Sequence, residues 1–190
     1  MDTPEVIERF RRTGALLEGH FVLTSGLHST GYLQCALVLQ HPSEAEPLGR
    51  ALAERFAGTR VETVAAPAIG GIIIGWEVAR ALGVRSIWTE REEGRMTLRR
   101  GFSVRPGERV LVVEDVVTTG GSTRETIEAL RAAGAIVVGA ASIIDRSGGR
   151  ADVGVPRFAL ATLDVPALAP SACPQCAAGV PAVKPGSRKT

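Results

Sequence analysis

Apolar positions in the second half of the chain fall into short blocks separated by turn-forming residues. Residues 61–66 predict a buried strand. A Gly turn follows, then a helix over about 72–82 with Gly83 as its stop. Residues 86–89 predict a short strand, and 109–114 another after the Pro106-Gly107 turn. A helix over 122–133, closed by Gly134, leads into a last apolar strand at 136–144. Strands alternating with helices of these lengths imply right-handed crossovers, hence an α/β fold with a central, mostly parallel, twisted sheet flanked by helices. Upstream, Thr3 as N-cap and Pro4 in the first position predict a helix with Val6, Ile7 and Phe10 on one face. Residues 20–39 read as β-like, broken at Ser25-Gly26 and Thr30-Gly31. Ser43-Glu44-Ala45-Glu46 has capping-box spacing and predicts a second helix ending at Gly58. Residues 90–101 hold no sustained pattern, and 165–190 are a Pro/Gly-rich tail. In an open parallel sheet ligands sit at the carboxyl ends of strands, which directs the search to the loops after residues 66, 89, 115 and 144.

Composition narrows the class. The chain has 190 residues, is 45% hydrophobic and 22% charged, and carries a formal net charge of +2. That fits one globular domain spanning 1–190, large enough for a core of its own. No run of about 18 apolar residues predicts a membrane span, and residues 1–12 lack the apolar centre of a signal peptide. A cytoplasmic enzyme is the expectation. Twenty acids nearly balance 22 bases, which argues against a nucleic-acid footprint. The only lysines are Lys184 and Lys189, neither in a Gly-Lys-Ser/Thr setting, and no G-x-G-x-x-G opens a helix after a strand.

The informative stretch is Val110-Leu111-Val112-Val113-Glu114-Asp115-Val116-Val117-Thr118-Thr119-Gly120-Gly121-Ser122-Thr123. An apolar strand ends in two adjacent carboxylates, then small and hydroxyl residues lead straight into a helix. Small residues let the backbone curl around a phosphate, and the helix N-terminus favours negative charge. Thr118, Thr119, Ser122 and Thr123 add hydroxyl donors. A pure phosphate site would not carry two acids, because they repel the ligand. They make sense as acceptors for vicinal sugar hydroxyls or as holders of a divalent cation. The simpler alternative is a strand-to-helix turn with a Ser122-x-x-Glu125 capping box and a solvated acidic pair.

This run resembles the phosphoribosyl-diphosphate (PRPP) signature of type I phosphoribosyltransferases. The resemblance implies that fold with a small N-terminal hood, here about 15–40. It also implies that Glu114 and Asp115 contact the ribose hydroxyls, while Val116, Val117, Thr118, Thr119, Gly120, Gly121 and Ser122 hold the 5-phosphate. Ala66-Pro67-Ala68-Ile69-Gly70-Gly71 resembles the diphosphate loop, which adds Ala68, Ile69 and Gly70 to the PRPP site. Three features are similar to the orotate branch: the segment from Phe21 through Ser25-Gly26 to Tyr32-Leu33 resembles its hood, Ile144-Asp145-Arg146 its Asp-Arg pair, and 181–188 the tail of a bacterial and archaeal-type subgroup. Ser25, Tyr32, Leu33, Thr118 and Arg146 are thereby implied at orotate, with the planar guanidinium forked onto the carboxylate.

The branch's better-known members carry lysines where this chain has Thr24 and Gly70, and a histidine in a mobile loop that here has none. Arg91 aligns with that loop's first lysine; Arg95, Arg99 and Arg100 match by charge. The implied reaction is orotate plus PRPP giving orotidine 5-monophosphate and diphosphate, in pyrimidine biosynthesis. Glu114, Asp115 and Arg91 are the implied catalytic groups. Mg²⁺ would be held mainly through substrate, and a homodimer would share the loop between subunits. Transfer to another nucleobase, or a non-catalytic PRPP-sensing regulator, are the alternatives.

Cysteines number three. Cys173-Pro174-Gln175-Cys176 has zinc-knuckle spacing but offers one pair, so two tails meeting at a dimer axis would be needed for a four-cysteine site. A tail disulfide is a second reading, against which a reducing cytoplasm argues, and a packed turn is the third. Cys35 reads as a small core residue in a β-like run. His20, His28 and His41 are too irregularly spaced to suggest a metal site, with His28 a candidate for the base pocket. Trp76 and Trp88 fit apolar patterns and are expected in the core.

Overall fold

The computed structural model describes residues 1–23, 26–163 and 167–184. Its main sheet has six strands in the order β5-β4-β3-β6-β7-β8. These are β3 (Thr63–Pro67), β4 (Arg85–Glu92), β5 (Arg95–Leu98), β6 (Arg109–Val117), β7 (Ile136–Asp145) and β8 (Arg157–Thr162). Every pairing is parallel except β4 with β5, an antiparallel hairpin at one edge. Hydrophobic burial on both faces explains the unbroken apolar run in β6. Leu111 and Val113 enter one core with Val64, Ile74 and Ile143. Val110 and Val112 enter the other with Ala65, Ile87, Ile127 and Leu130.

Helices cover both faces. One is covered by α1 (Thr3–Arg12), α2 (Cys35–Leu39), α3 (Pro42–Glu54) and α4 (Gly71–Leu82), the other by α5 (Gly121–Ala132). A second, three-stranded sheet of order β1-β2-β9 is built from β1 (Leu16–Val22), β2 (His28–Leu33) and β9 (Ala167–Leu168). The hood hairpin is thus completed by a strand from the tail, which continues through a 3-10 turn at Pro170–Ala172 and α6 (Pro174–Ala177).

Several local expectations are corrected. The first helix is capped by Asp2, whose carboxylate accepts from Glu5 N at 2.9 Å, so Thr3 is already inside it. The second long helix starts at Pro42, and Ser43 falls in its first turn without a capping bond; proline at the first position starts it early. Residues 35–39 are helical, not β-like, although Cys35 is buried as expected. The patternless segment 90–101 contains the β4–β5 hairpin, and strands β8 and β9 had no sequence signal. Trp76 is 59% exposed rather than in the core. Trp88 is half-buried, edge-on to Phe102 with ring centroids 4.6 Å apart, and donates to Glu90 Oε1 at 3.0 Å.

A buried charge fastens the bottom of the sheet. Glu108 accepts from Arg105 N at 2.8 Å, from Arg85 Nη2 at 2.7 Å and from the Thr63 hydroxyl. Burial alone would raise its pKa. These donors outweigh it and hold the carboxyl down at about 2, from an ordinary 4.5. Its stabilisation is therefore complete above about pH 4.5 and lost as pH falls through the folded value. Glu108→Gln should cost about 3 kcal/mol at neutral pH. Urea unfolding of both proteins should show that gap closing between about pH 4.5 and 2. Equal stability at neutral pH would show that the network carries no weight.

Candidate active site

The chain leaves β3 for β4 on one side of the sheet, then returns to place β6 on β3's other side. The strand order reverses between β3 and β6, and a crevice opens there at their carboxyl ends. The loop after β3 and the acid pair of β6 meet in this crevice. Strand β6 runs past the acids, its pairing with β7 continuing through Val116–Ile144 to Val117–Asp145. The acids therefore sit within a paired strand and not beyond its end.

Gly70 lies over Asp115 so closely that an added Cβ would stand 2.7 Å from Oδ1. A side chain there would make the Asp115 carboxylate shift, so glycine allows the loop its close seat on the acid. Glu114 is buried and Asp115 half-buried. Burial, then the adjacent Asp115, pushes the Glu114 pKa up to about 10, so the carboxyl is neutral at physiological pH. Asp115 Oδ1 accepts from Val116 N at 2.8 Å.

Beyond the acids the backbone curls into α5. Gly120 is its N-cap, at φ +77°, with no side-chain cap. Its missing Cβ is also required by packing, since one would meet Val153 at 2.8 Å. No Ser122–Glu125 capping box forms, and the helix's leading N–H groups face a cleft of about 220 Å³. Glu114, Val116, Val117, Thr118, Thr119, Gly120, Gly121, Ser122 and Thr123 line it, with Arg91 and Glu125 at its side. Arg124 Nη1 braces the curl by donating to Thr119 O at 3.2 Å.

Of the four arginines in residues 90–101, Arg91 alone lines this cleft, ion-paired to Glu125 at 2.7 Å. Arg99 is held by Glu92 at 3.2 Å and Arg100 by Glu90. Arg95 is exposed.

At the end of β7 the Asp-Arg pair divides its work. Asp145 accepts from Ser147 N and Oγ at 2.7 and 2.6 Å, from Gly149 N at 2.9 Å and from Arg157 Nη2 at 2.8 Å. Burial opposes its ionisation, but these bonds prevail and keep its pKa below the ordinary value. Arg146 has no carboxylate partner among the described residues, and its Nε is buried without a hydrogen bond. Burial lowers its pKa, with Tyr32 and Cys35 the near groups acting against that. Tyr32 tilts against Phe21, ring centroids 6.0 Å apart. Leu33, next along β2, points the other way into the core, so its side chain does not reach the pocket. Thr24, Ser25 and residues 185–188 lie outside the described residues. Sequence reasoning missed the Asp145–Arg157 pair and the close seat of Cys35. Burial, then Asp115, pushes that thiol's pKa well up.

Glu114 offers a direct check. Its folded pKa lies above the ordinary 4.5, so its contribution to stability is full below that value and lost as pH rises through about 10. The neutral isostere Glu114→Gln removes this slope. Melting temperatures of the two proteins should diverge, wild type falling relative to the variant, between about pH 5 and 9. A constant difference would show Glu114 ionised throughout.

Comparison with known proteins gives the same reading. Residues 37–158 match the phosphoribosyl transferase domain family. An orotate phosphoribosyltransferase of Pelotomaculum thermopropionicum is 60% identical over 189 residues, covering 100% of both chains. The crystal structure of the Aeropyrum pernix orotate phosphoribosyltransferase is 30% identical at a TM-score of 0.67, covering 83% of this chain and 93% of that one. The Mycobacterium tuberculosis enzyme in complex with PRPP is 27% identical at a TM-score of 0.68, covering 84% and 94%. With identity sustained along its whole length and a crevice built from the matching segments, the chain belongs to the orotate phosphoribosyltransferases.

Proposed function

We propose that this chain transfers the 5-phosphoribosyl group of PRPP to orotate through the crevice between β3 and β6, with Arg146 as the recognition group for the orotate carboxylate. The observation that carries this is the Arg146 guanidinium, half-buried beside Tyr32 and without a counter-ion among the described residues. An unpaired buried cation is costly, and a planar carboxylate that accepts two parallel hydrogen bonds is its natural partner. A purine would offer no such anion.

Each residue role is supported by where its group lies. The 5-phosphate binds the N–H groups at the start of α5 with Thr118, Thr119 and Ser122. Glu114 and Asp115 take the ribose hydroxyls, the neutral Glu114 also being able to donate. Ala68, Ile69 and Gly70 lie where the diphosphate leaves. As the bond from C1 to the diphosphate breaks, positive charge develops on the ribose and negative charge on the leaving group. The need is for positioning and fixed charge, with no covalent nucleophile. Arg91, at the 5-phosphate cleft and paired to Glu125, would answer the departing diphosphate once the hairpin moves, as would Arg95, Arg99 and Arg100.

The donors fit Mg²⁺ held chiefly by substrate oxygens: with Glu114 neutral, the pair offers too little for an all-protein cage. When bound, the ion would neutralise diphosphate charge.

A homodimer is supported by one apolar face. Ile69, Ile73 and Trp76 are 85, 46 and 59% exposed and recur at helical spacing along α4 and the loop before it. No helix among the described residues is long and apolar enough to cross a membrane, which accords with the proposed cytoplasmic location.

Steady-state kinetics on Arg146→Gln should raise the KM for orotate about 10- to 100-fold while leaving that for PRPP within about twofold. Asp115→Asn should instead lower kcat by about a hundredfold or more with the fold intact. Equal movement of both KM values in Arg146→Gln would refute the carboxylate role. Trp76→Glu should shift sedimentation from dimer to monomer; unchanged assembly would remove that face as the interface.

A further inference from the structure

The tail follows a defined path without a core of its own. From residue 167 to 184 the only buried residue is Cys173. The segment is held by a two-residue pairing, His28–Leu168 and Ser29–Ala167, and by Val183, which accepts from Val22 N at 2.9 Å and donates to His20 O at 2.8 Å. Four side chains converge at this junction: His20 from β1, His28 from β2, Cys173 at the N-cap of α6 and Cys176 within that helix. One ligand atom from each lies within 4.8 Å of all the others.

We propose that His20, His28, Cys173 and Cys176 form a structural zinc site that fastens the tail to the hood within one chain. The donor set is two imidazoles and two thiols, with C-x-x-C spacing for the sulfurs. Zinc–nitrogen bonds of about 2.0–2.1 Å and zinc–sulfur bonds of about 2.3 Å require nitrogen–sulfur edges of about 3.6 Å in a tetrahedron. Cys173 Sγ is 3.4 Å and Cys176 Sγ 3.7 Å from His20 Nε2, and Cys176 Sγ is 3.2 Å from His28 Nδ1. The two ring nitrogens are 2.7 Å apart, and an ion between them would open that edge to about 3.4 Å.

The tautomer is set as well. His20 Nδ1 lies 2.7 Å from Val180 O, an acceptor only, so this nitrogen carries the proton and the Nε2 lone pair faces the cluster. A ligating imidazole that donates its other N–H to a carbonyl is the usual support of a metal site. His28 would present Nδ1 by keeping its proton on Nε2. Four protein donors leave no open position, which marks the site as structural rather than catalytic. None of the four lines the cleft behind the acid pair. Binding would release two thiol protons to solvent as both sulfurs become thiolates, with no change of oxidation state. The four-cysteine site shared between two tails is unnecessary, because His20 and His28 complete the set.

The test uses the full chain, purified under reducing conditions without metal-affinity resin. Elemental analysis should find about one zinc per chain, and Cys173→Ser/Cys176→Ser below about a tenth of that. Should the variant fail to fold, the wild-type protein still reads the site: stripped of metal and titrated with Co²⁺, it should show the visible bands of a tetrahedral ion and a sulfur-to-cobalt charge-transfer band, saturating at one equivalent with release of two protons. Failure of reduced wild-type protein to bind Zn²⁺ or Co²⁺, octahedral cobalt without sulfur bands, or undiminished zinc in the folded double variant would each overturn the proposal. Orotate turnover is read separately, so its loss or survival leaves the metal result to stand alone.

Discussion

Everything at the crevice depends on how closely the Gly70-Gly71 turn can lie on the carboxylates of β6. A side chain at Gly70 would strike Asp115, and one at Gly71 would come within 2.9 Å of Val113 O. With both absent, the loop after β3 and the acid pair share one small volume, while the curl into α5 opens beside it. Two anionic ends of a substrate can then be held within reach of one sugar. The same closeness removes Glu114 from water and keeps it neutral, so this carboxyl sets no negative charge beside an anionic ligand.

The part of this arrangement that local rules govern was legible. An apolar strand, a small-residue turn and a helix closed by glycine are short-range features, and the run from Val110 to Gly134 folds accordingly. The main departure there is that β6 carries the acids inside its paired length, because β7 is long enough to partner them. Short apolar runs were harder. Cys35-Ala36-Leu37-Val38-Leu39 is uniformly apolar and gives no period by which to separate strand from helix. The β4–β5 hairpin was obscured for the opposite reason, its charges being distributed as edge strands tolerate them.

Features assembled across long sequence separations were invisible. His20 and His28 lie eight residues apart on a hairpin, and Cys173 follows 145 residues after His28. Spacing rules could find only the cysteine pair. Trp76 matched an apolar pattern because α4 is apolar nearly all round, and which side the sheet would cover was a tertiary question. That Arg146 has no carboxylate partner among the described residues likewise depends on where the acids end up.

Asp145 is part of the same balance of charge. It stands next to Arg146 in the chain, yet its oxygens are committed to Ser147, Gly149 and Arg157. Arg157, a strand away on β8, thus acts as a decoy cation that occupies the acid next to Arg146 in the chain. Were it lost, Asp145 would keep its bonds from Ser147 and Gly149, but its charge would no longer be offset and would weaken the hold of Arg146 on any incoming anion. A position remote from the substrate would in this way set how much positive potential the pocket retains.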